Sequence, residues 1–386
     1  MIIGILLISA TLRAPFTSVA PLLNMIRESF DLSTSEAGAL TTLPLLAFAA
    51  ISPIAALIAH EYGLERSLFG ALILIGGGIV LRSAGPAWCL YVGTGVIGGG
   101  IAIGNVLLPS LLKRDFPNKI AMLTASYALT MGAAGAFASA VVVPLAHISG
   151  FGWPLTLGAL VLLPLAAAAL WIPQLSSHTA PANGTASPPH GGRVWHSALA
   201  WQVTLFLGLN SLVYYIVIAW LPAILADAGD SPAKAGSLHG LLQLATAAPG
   251  PLLIPIVNRM KDQRAIAFGV SLVAAIGAIG FLLAPSYATL WTILFGAGTG
   301  AAIILGLAFV GLRVTSSHQA AALSGMAQSV GYLLAAVGPT LVGVLHDTHG
   351  GWGLPLMLCA ILCLAMAAVG LLAGRALHIT ESPRRS

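Results

Sequence analysis

Apolar segments long enough to cross a lipid bilayer recur along the whole chain. A bilayer core about 30 Å thick is spanned by a helix of about 20 consecutive apolar residues. We predict twelve such helices, over residues 2–26, 37–59, 67–83, 88–112, 120–146, 153–171, 198–225, 233–257, 265–284, 287–312, 320–345 and 352–373. These segments are continuously apolar, whereas the strands of a membrane β-barrel alternate over about ten residues. The pattern therefore indicates an all-α membrane protein.

The composition argues against a soluble fold. Of the 386 residues, 58% are hydrophobic and 7% are charged, against about 25% charged in ordinary soluble domains. The first segment lacks a basic leader and a cleavage site, so we interpret it as a retained helix rather than a signal peptide. The cysteines, Cys89, Cys359 and Cys363, match no zinc or redox spacing. We expect neither a metal nor a cofactor.

The distribution of basic residues predicts the orientation. Outer loops and helix ends would hold Arg27, Arg82 and Lys234, and Arg13 lies within the first helix. The other twelve basic residues fall in inner loops and the tail: Arg66, Lys113, Arg114, Lys119, Arg193, Arg259, Lys261, Arg264, Arg313, Arg375, Arg384 and Arg385. Because cytoplasmic loops are enriched in Lys and Arg, we place both termini on the cytoplasmic side of a bacterial inner membrane. This distribution explains the net charge of +5 without a nucleic-acid partner.

The chain repeats itself at an offset of about 198 residues. Residues 38–53 match residues 236–251, and Arg66 and Arg114 correspond to Arg264 and Arg313. Matched arginines keep the same side only if each repeat has an even number of helices, so we predict two parallel six-helix repeats, as in major facilitator transporters. The predicted parts are an N-terminal bundle, a polar cytoplasmic linker, a C-terminal bundle and a cytoplasmic tail: residues 1–171, 172–197, 198–375 and 376–386. We expect a monomer.

Arg13 is the clearest candidate for a functional residue. It lies near the middle of the first predicted helix, where a charged side chain costs at least about 2.5 kcal/mol and an arginine cannot discharge itself by losing a proton. All 11 carboxylates of the chain lie outside the middle of a predicted helix. We therefore favour contact with an anionic or nitro-bearing substrate over a structural arginine satisfied by carbonyls and interhelical side chains. Pro15 removes a backbone donor, frees the Thr11 carbonyl and predicts a bend.

Other polar residues lie at matching depths in the predicted helices. They form pairs one helical turn apart, and each pair shares a face: Asn210 and Tyr214, His239 and Gln243, and Gln328 and Tyr332. Asn105 and Tyr127 are further candidates for substrate contact. Ordinary hydrogen bonding between helices is the alternative for each of them. His239 is also a candidate proton carrier, because an unperturbed imidazole titrates near neutrality, with a structural hydrogen bond as the alternative.

Two other kinds of function find no support. The glycine clusters at residues 98–100 and 296–300 lie inside apolar helices and lack a phosphate-binding GxxxxGK[ST] pattern, so we interpret them as close packing sites. Energy would then come from a gradient or from another subunit. An enzyme is disfavoured because the sequence has no paired carboxylates, HExxH motif or nucleophile set. A membrane receptor or assembly subunit that binds without translocating is the remaining alternative.

Several stretches resemble one branch of a known family. Residues 56–66 (ALIAHEYGLER) resemble a degraded major facilitator loop motif, with His60 and Glu61 in place of its Asp-Arg pair. Four longer stretches, residues 11–23, 104–117, 201–215 and 236–250, resemble the cyanate and 2-nitroimidazole transporter branch of that superfamily. The resemblance implies the major facilitator fold and alternating-access transport of a small polar or anionic molecule. A proton or another ion is a candidate coupling partner. The resemblance also implies a cavity lined by helices one, four, seven and ten, with Arg13 and Tyr214 on it.

Overall fold

The computed structural model describes residues 1–116, 119–148, 150–176, 194–315 and 317–379. Over these ranges the chain is helical and contains no strand. Twelve helices in the described chain are long and apolar enough to cross a membrane, and we number them 1 to 12 in chain order. The predicted all-α membrane fold with twelve spans is confirmed.

Nine of the twelve are single continuous helices: Thr34–Tyr62 (helix 2), Leu64–Arg82 (3), Ala87–Asp115 (4), Ile120–Ala146 (5), Ala198–Asp227 (7), Arg264–Leu283 (9), Ala288–Leu312 (10), Ser317–His349 (11) and Gly353–Ala373 (12). Three are built from shorter pieces: Ile2–Thr11, Ala14–Thr17 and Val19–Phe30 (helix 1), Gly152–Ala159 and Leu162–Trp171 (helix 6), and Pro232–Ala247 and Gly250–Arg259 (helix 8). Short 3₁₀ turns occupy Ile172–Ser176, Val194–His196 and Pro285–Tyr287. Residues 177–193 of the predicted linker and 380–386 of the predicted tail lie outside the described residues.

Helix 1 breaks where Pro15 predicted a bend. The first piece ends at Thr11, and the amide of Arg13 donates to the Ala10 carbonyl at 3.2 Å instead of continuing the regular helical pattern. Helix 5 leaves room for the Arg13 side chain at the break because it has a glycine, Gly135, at the point of contact. A Cβ atom on Gly135 would lie 2.9 Å from Cγ of Arg13. The break therefore presents a charged side chain from the interior of a membrane-spanning helix.

The glycine clusters pack helices closely, as predicted. A Cβ on Gly98 of helix 4 would lie 2.6 Å from Cα of Pro44 on helix 2. On helix 10, a Cβ on Gly298 would lie 2.5 Å from the amide nitrogen of Ala274 on helix 9. Any side chain at these positions would push the backbones apart, so the glycines serve helix packing.

The chain forms two compact units. Unit 1 comprises Met1–Ala186, Val217–Leu244 and Pro339–Gly350, and unit 2 comprises Ser187–Ile216, Ala245–Gly338 and Gly351–Ser386. Unit 1 thus combines the first six helices with the C-terminal ends of helices 7 and 11 and the N-terminal part of helix 8. The division into bundles at residues 172–197 stays a prediction.

Corresponding arginines of the repeat link neighbouring helices in each unit by ion pairs or hydrogen bonds. In unit 1, Arg114 at the end of helix 4 forms ion pairs with Glu65 at the start of helix 3 and with Asp115. The hydrogen bond to Asp115 is the main cause that raises the pKa of Arg114. In unit 2, Arg313 after helix 10 donates to Gln263 just before helix 9. Burial lowers the pKa of Arg313.

Candidate functional site

The structure brings together two of the predicted site residues, Arg13 and Gln243. Nε and Nη2 of Arg13 donate to the same amide oxygen, Oε1 of Gln243 on helix 8, at 3.2 and 2.8 Å. Arg13 is half-buried, whereas Gln243 is 1% exposed. The Nε–Nη2 edge of a guanidinium is a fork of parallel donors that fits a planar group with two oxygens. Here Nε and Nη2 both donate to the same neutral oxygen.

The broken segment of helix 1 fixes the backbone of Arg13. Arg13 caps the short helical piece Ala14–Thr17, and its carbonyl accepts from the amides of Phe16 and Thr17, each at 3.1 Å. The Thr17 hydroxyl also donates to that carbonyl, at 3.2 Å. With the backbone held in this way, the guanidinium can change partner without a change in the segment that carries it.

His239 lies on the same helix as Gln243, one turn before it, and is fully enclosed at 0% exposure. Its Nε2 lies 2.8 Å from the Ile218 carbonyl oxygen, and its Nδ1 lies 2.9 Å from the Ser139 hydroxyl. A carbonyl only accepts, so Nε2 carries a proton and donates it. The imidazole therefore links helix 8 to helices 5 and 7, an arrangement typical of a structural histidine. Its role in carrying protons stays a prediction.

Helices 5 and 8 meet at glycines in unit 1. A Cβ on Gly236 would lie 2.8 Å from the carbonyl oxygen of Ser139, and a Cβ on Gly240 would lie 2.7 Å from that of Ala136. The contact is thus backbone against backbone. We call it the helix 5–8 seam.

Helices 2 and 11 meet in the same manner in unit 1. A Cβ on Gly38 would lie 2.8 Å from the carbonyl oxygen of Pro339, and a Cβ on Gly343 would lie 2.7 Å from that of Thr34. Three polar contacts among the described residues join the same helices: the hydroxyls of Thr42 and Thr340 at 2.9 Å, the Ser35 amide and the Asp347 carboxylate at 3.0 Å, and the Thr34 hydroxyl and Nδ1 of His346 at 3.3 Å. We call this contact the helix 2–11 seam. Both seams lie towards the end of unit 1 at which helix 1 is joined to helix 2.

A cavity of about 260 Å³ opens at this end of unit 1, between the ends of helices 1, 5 and 7 and the start of helix 8. Its polar lining residues include Asn24, Glu28 and His147. Pro21 and Val143 line it as well, and both lie within 4 Å of the Cβ position of Gly236. The helix 5–8 seam therefore forms part of the boundary between this cavity and the enclosed His239.

The remaining candidates divide between the two units. Asn105 and Tyr127 are half-buried in unit 1, whereas Asn210, Tyr214, Gln328 and Tyr332 belong to unit 2. In unit 2, Asn210 is 2% exposed, and its Oδ1 accepts no hydrogen bond from the described residues. The Tyr214 ring packs edge-on against that of Tyr215, with centroids 5.4 Å apart, and the exposed Gln328 donates to Ser324. Substrate contact by these six residues stays a prediction.

Sequence reasoning missed several residues near Arg13. The Ser139 hydroxyl lies 2.8 Å from the Gly135 carbonyl and 3.4 Å from that of Thr17, and so connects helix 5 to the broken segment. Small hydroxyl residues in an apolar helix give no distinctive sequence signal. Arg82 was placed at an outer helix end, yet it is 1% exposed and donates inward to the carbonyl of Pro15 at 2.8 Å. Its position in the sequence did not reveal the direction of its side chain.

The described chain has twelve helices that are long and apolar enough to cross a membrane, a sequence repeat and an arginine presented from a broken helix. These are features of a multi-pass membrane transporter. The family model of the Major Facilitator Superfamily matches residues 5–339. The chain therefore belongs to the major facilitator superfamily.

Known proteins agree with this assignment. The chain is 60% identical to the 2-nitroimidazole transporter of Escherichia coli (strain K12), over 97% of this chain and 95% of that protein. It is 28% identical to the cyanate transport protein CynX of the same organism, over 91% of each chain. Among solved structures, a mutant of the nucleoside transporter NupG shares the fold with a TM-score of 0.80 at 12% identity, over 96% of this chain and 99% of that one. The predicted family and branch are confirmed.

Proposed function

We propose that the protein is a secondary active transporter that moves a small solute with a nitro or anionic group across the bacterial inner membrane by alternating access. The contact of Arg13 Nε and Nη2 with Gln243 Oε1 is the observation that carries this proposal. A nitro group or a carboxylate offers two coplanar oxygens to the two donors, whereas the amide offers one. The solute would replace the amide oxygen on the guanidinium edge and gain one acceptor for each donor.

The relatives favour a nitro-bearing heterocycle over cyanate as the solute. The relative that is 60% identical over almost its whole length is named for 2-nitroimidazole, and the one named for cyanate is 28% identical. Cyanate is linear and has one terminal oxygen, so that oxygen would accept from both Nε and Nη2 of Arg13, as the Gln243 amide oxygen does. A planar nitro group uses the fork more fully.

The distribution of basic residues supports an orientation with both termini in the cytoplasm. The end of unit 1 where helix 1 joins helix 2 would then face outward, and the two seams would close the outer side. In alternating access, opening to the outside requires both seams to separate. Energy would come from a gradient of protons or another ion, with His239 as the candidate carrier.

Flux measurements on reconstituted protein test the proposal. Proteoliposomes should take up labelled 2-nitroimidazole, and Arg13→Ala should reduce uptake by about 10-fold to 100-fold, because hydrogen bonds to a charged group contribute about 1.5–3 kcal/mol. Arg27→Ala is the matched control, since Arg27 lies later on helix 1 and its Nε donates to the Leu32 carbonyl at 3.4 Å. This control should retain normal uptake.

Two results would change the proposal in different ways. Normal uptake and affinity in Arg13→Ala vesicles would remove Arg13 from the site and leave the transporter class intact. Binding of 2-nitroimidazole by purified wild-type protein without any flux would instead favour the alternative, a membrane receptor or assembly subunit that binds without translocating.

A further inference from the structure

Arg82, the last residue of helix 3, turns its cationic side chain into the protein. A cation at a helix end ordinarily extends to the aqueous interface, but Arg82 is 1% exposed. Its Nη1 donates to the Pro15 carbonyl at 2.8 Å, within the broken segment of helix 1. One of the three guanidinium nitrogens of Arg82 therefore has a backbone acceptor, and this acceptor lies close to Arg13 in the sequence.

The other two nitrogens, Nε and Nη2, are buried and donate to no acceptor in the described part of the chain. Arg82 forms no ion pair with any residue that the structure describes. These two nitrogens form the forked edge that suits a negatively charged acceptor. An arginine keeps its charge under ordinary conditions, and an uncompensated buried charge is strongly unfavourable.

Arg82 lines a small cavity beside this edge, of about 10 Å³. A cavity of this size accommodates one small bound particle. The cavity walls are mainly apolar and include Phe16, Leu40 and Ile97. The lining hydroxyls of Thr41 and Thr94 donate to carbonyls of their own helices, at 2.9 and 2.6 Å. The guanidinium therefore supplies the directed donors of this cavity.

We propose that the cavity binds one compact monovalent inorganic anion, chloride under physiological conditions, on the Nε–Nη2 edge of Arg82. A water molecule would accept hydrogen bonds from the edge but would leave the buried charge uncompensated, whereas an anion does both. A spherical ion tolerates apolar walls with two donors on one side, whereas a planar oxyanion would leave oxygens without donors against these walls. Because Arg82 also holds the Pro15 carbonyl, the bound anion would stabilise the broken segment of helix 1.

The anion site does not depend on which solute the protein transports. Arg82 and Arg13 contact different acceptors, the Pro15 carbonyl and Gln243 Oε1. Arg13→Ala protein should therefore keep the anion site even if it loses solute binding. The two proposals can then fail separately.

Bromide is a suitable probe, because it replaces chloride and scatters anomalously. Purified full-length protein should melt about 2 °C or more higher in sodium bromide than in sodium gluconate of equal ionic strength. Arg82→Gln should lose this difference, and Arg27→Gln, a substitution of an arginine on helix 1, should keep it. Crystals of wild-type protein soaked in bromide should show an anomalous peak at the Nε–Nη2 edge of Arg82.

Equal melting temperatures of the wild type in both salts would overturn the proposal, and so would a bromide effect that persists in Arg82→Gln. A density peak at the Nε–Nη2 edge without anomalous signal would also overturn it, because it would mean that only water is bound there. Stabilisation by 2-nitroimidazole in gluconate that requires Arg82 would also overturn it, by assigning the cavity to the solute. If Arg82→Gln does not fold, the wild-type crystals decide the question alone.

Discussion

Exchanging Gln243 for glutamate would put a carboxylate where the amide oxygen now lies 3.2 Å from Nε and 2.8 Å from Nη2 of Arg13. The two side chains have the same length, so the introduced carboxylate can engage the guanidinium edge without a change in the backbone. Close charge pairs shielded from water show coupling energies of about 1.5–7 kcal/mol. Because Arg13 is half-buried, we take a value towards the lower end, about 2.8 kcal/mol, which corresponds to about 100-fold in an equilibrium constant.

The solute must displace whatever acceptor holds Arg13. Gln243→Glu should therefore bind 2-nitroimidazole about 100-fold more weakly than the wild type at neutral pH. The protein itself should melt at a higher temperature, because an ion pair replaces the contact with a neutral acceptor. Weaker binding and higher stability in the same variant would distinguish competition for the guanidinium from damage to the fold.

Binding calorimetry on purified protein, followed by uptake in proteoliposomes, measures both effects. Gln243→Met is the matched control, since it removes the competing oxygen and keeps the side-chain length. Its affinity should equal or exceed that of the wild type. Affinity of Gln243→Glu within about threefold of the wild type would show that the solute does not use the Arg13 edge.

Three further substitutions test other parts of the structure. Gly240→Val should separate the helix 5–8 seam, since even a Cβ there would lie 2.7 Å from the Ala136 carbonyl oxygen. In a Ser139→Cys background, this substitution should increase labelling of the cysteine by a membrane-impermeant thiol reagent. Unchanged labelling would contradict the closed seam. If His239 carries the coupling proton, His239→Gln should abolish the pH dependence of uptake, and an unchanged pH dependence would assign the imidazole a structural role. Arg313→Lys should lower the melting temperature in detergent, because it loses the Nε donor to the Ala373 carbonyl at 2.9 Å, a contribution of about 1.5–3 kcal/mol; an unchanged melting temperature would refute this.

The spans and the break in helix 1 could be predicted because each depends on local sequence. Apolar runs determine which segments can cross a bilayer, and Pro15 removes a donor wherever the helix lies. Arg13 was also recognisable, since a charge in the middle of an apolar helix needs a partner in any fold. These features are independent of which helices become neighbours.

Pairings between distant residues could not be predicted in the same way. Arg13 and Gln243 were both candidates, but they are 230 positions apart, and only the packing of helix 1 against helix 8 brings them together. Arg82 shows the same limit more sharply. Its position at a helix end predicts contact with water, and the Pro15 carbonyl in the broken segment of helix 1 provides a buried acceptor instead.

The two seams consist of contacts that are individually weak. Their four glycines place backbones within reach of weak Cα–H···O contacts, each about 0.5 kcal/mol. Four hydrogen bonds of the described residues cross the seams, each about 1 kcal/mol. Together these contacts stabilise the closed seams by about 6 kcal/mol. Moving a two-state equilibrium from 1:99 to 99:1 takes about 5.5 kcal/mol, and micromolar binding provides about 8.2 kcal/mol. A solute that binds one state preferentially can therefore open or close such seams, whereas interlocked large side chains would hold the protein in a single state.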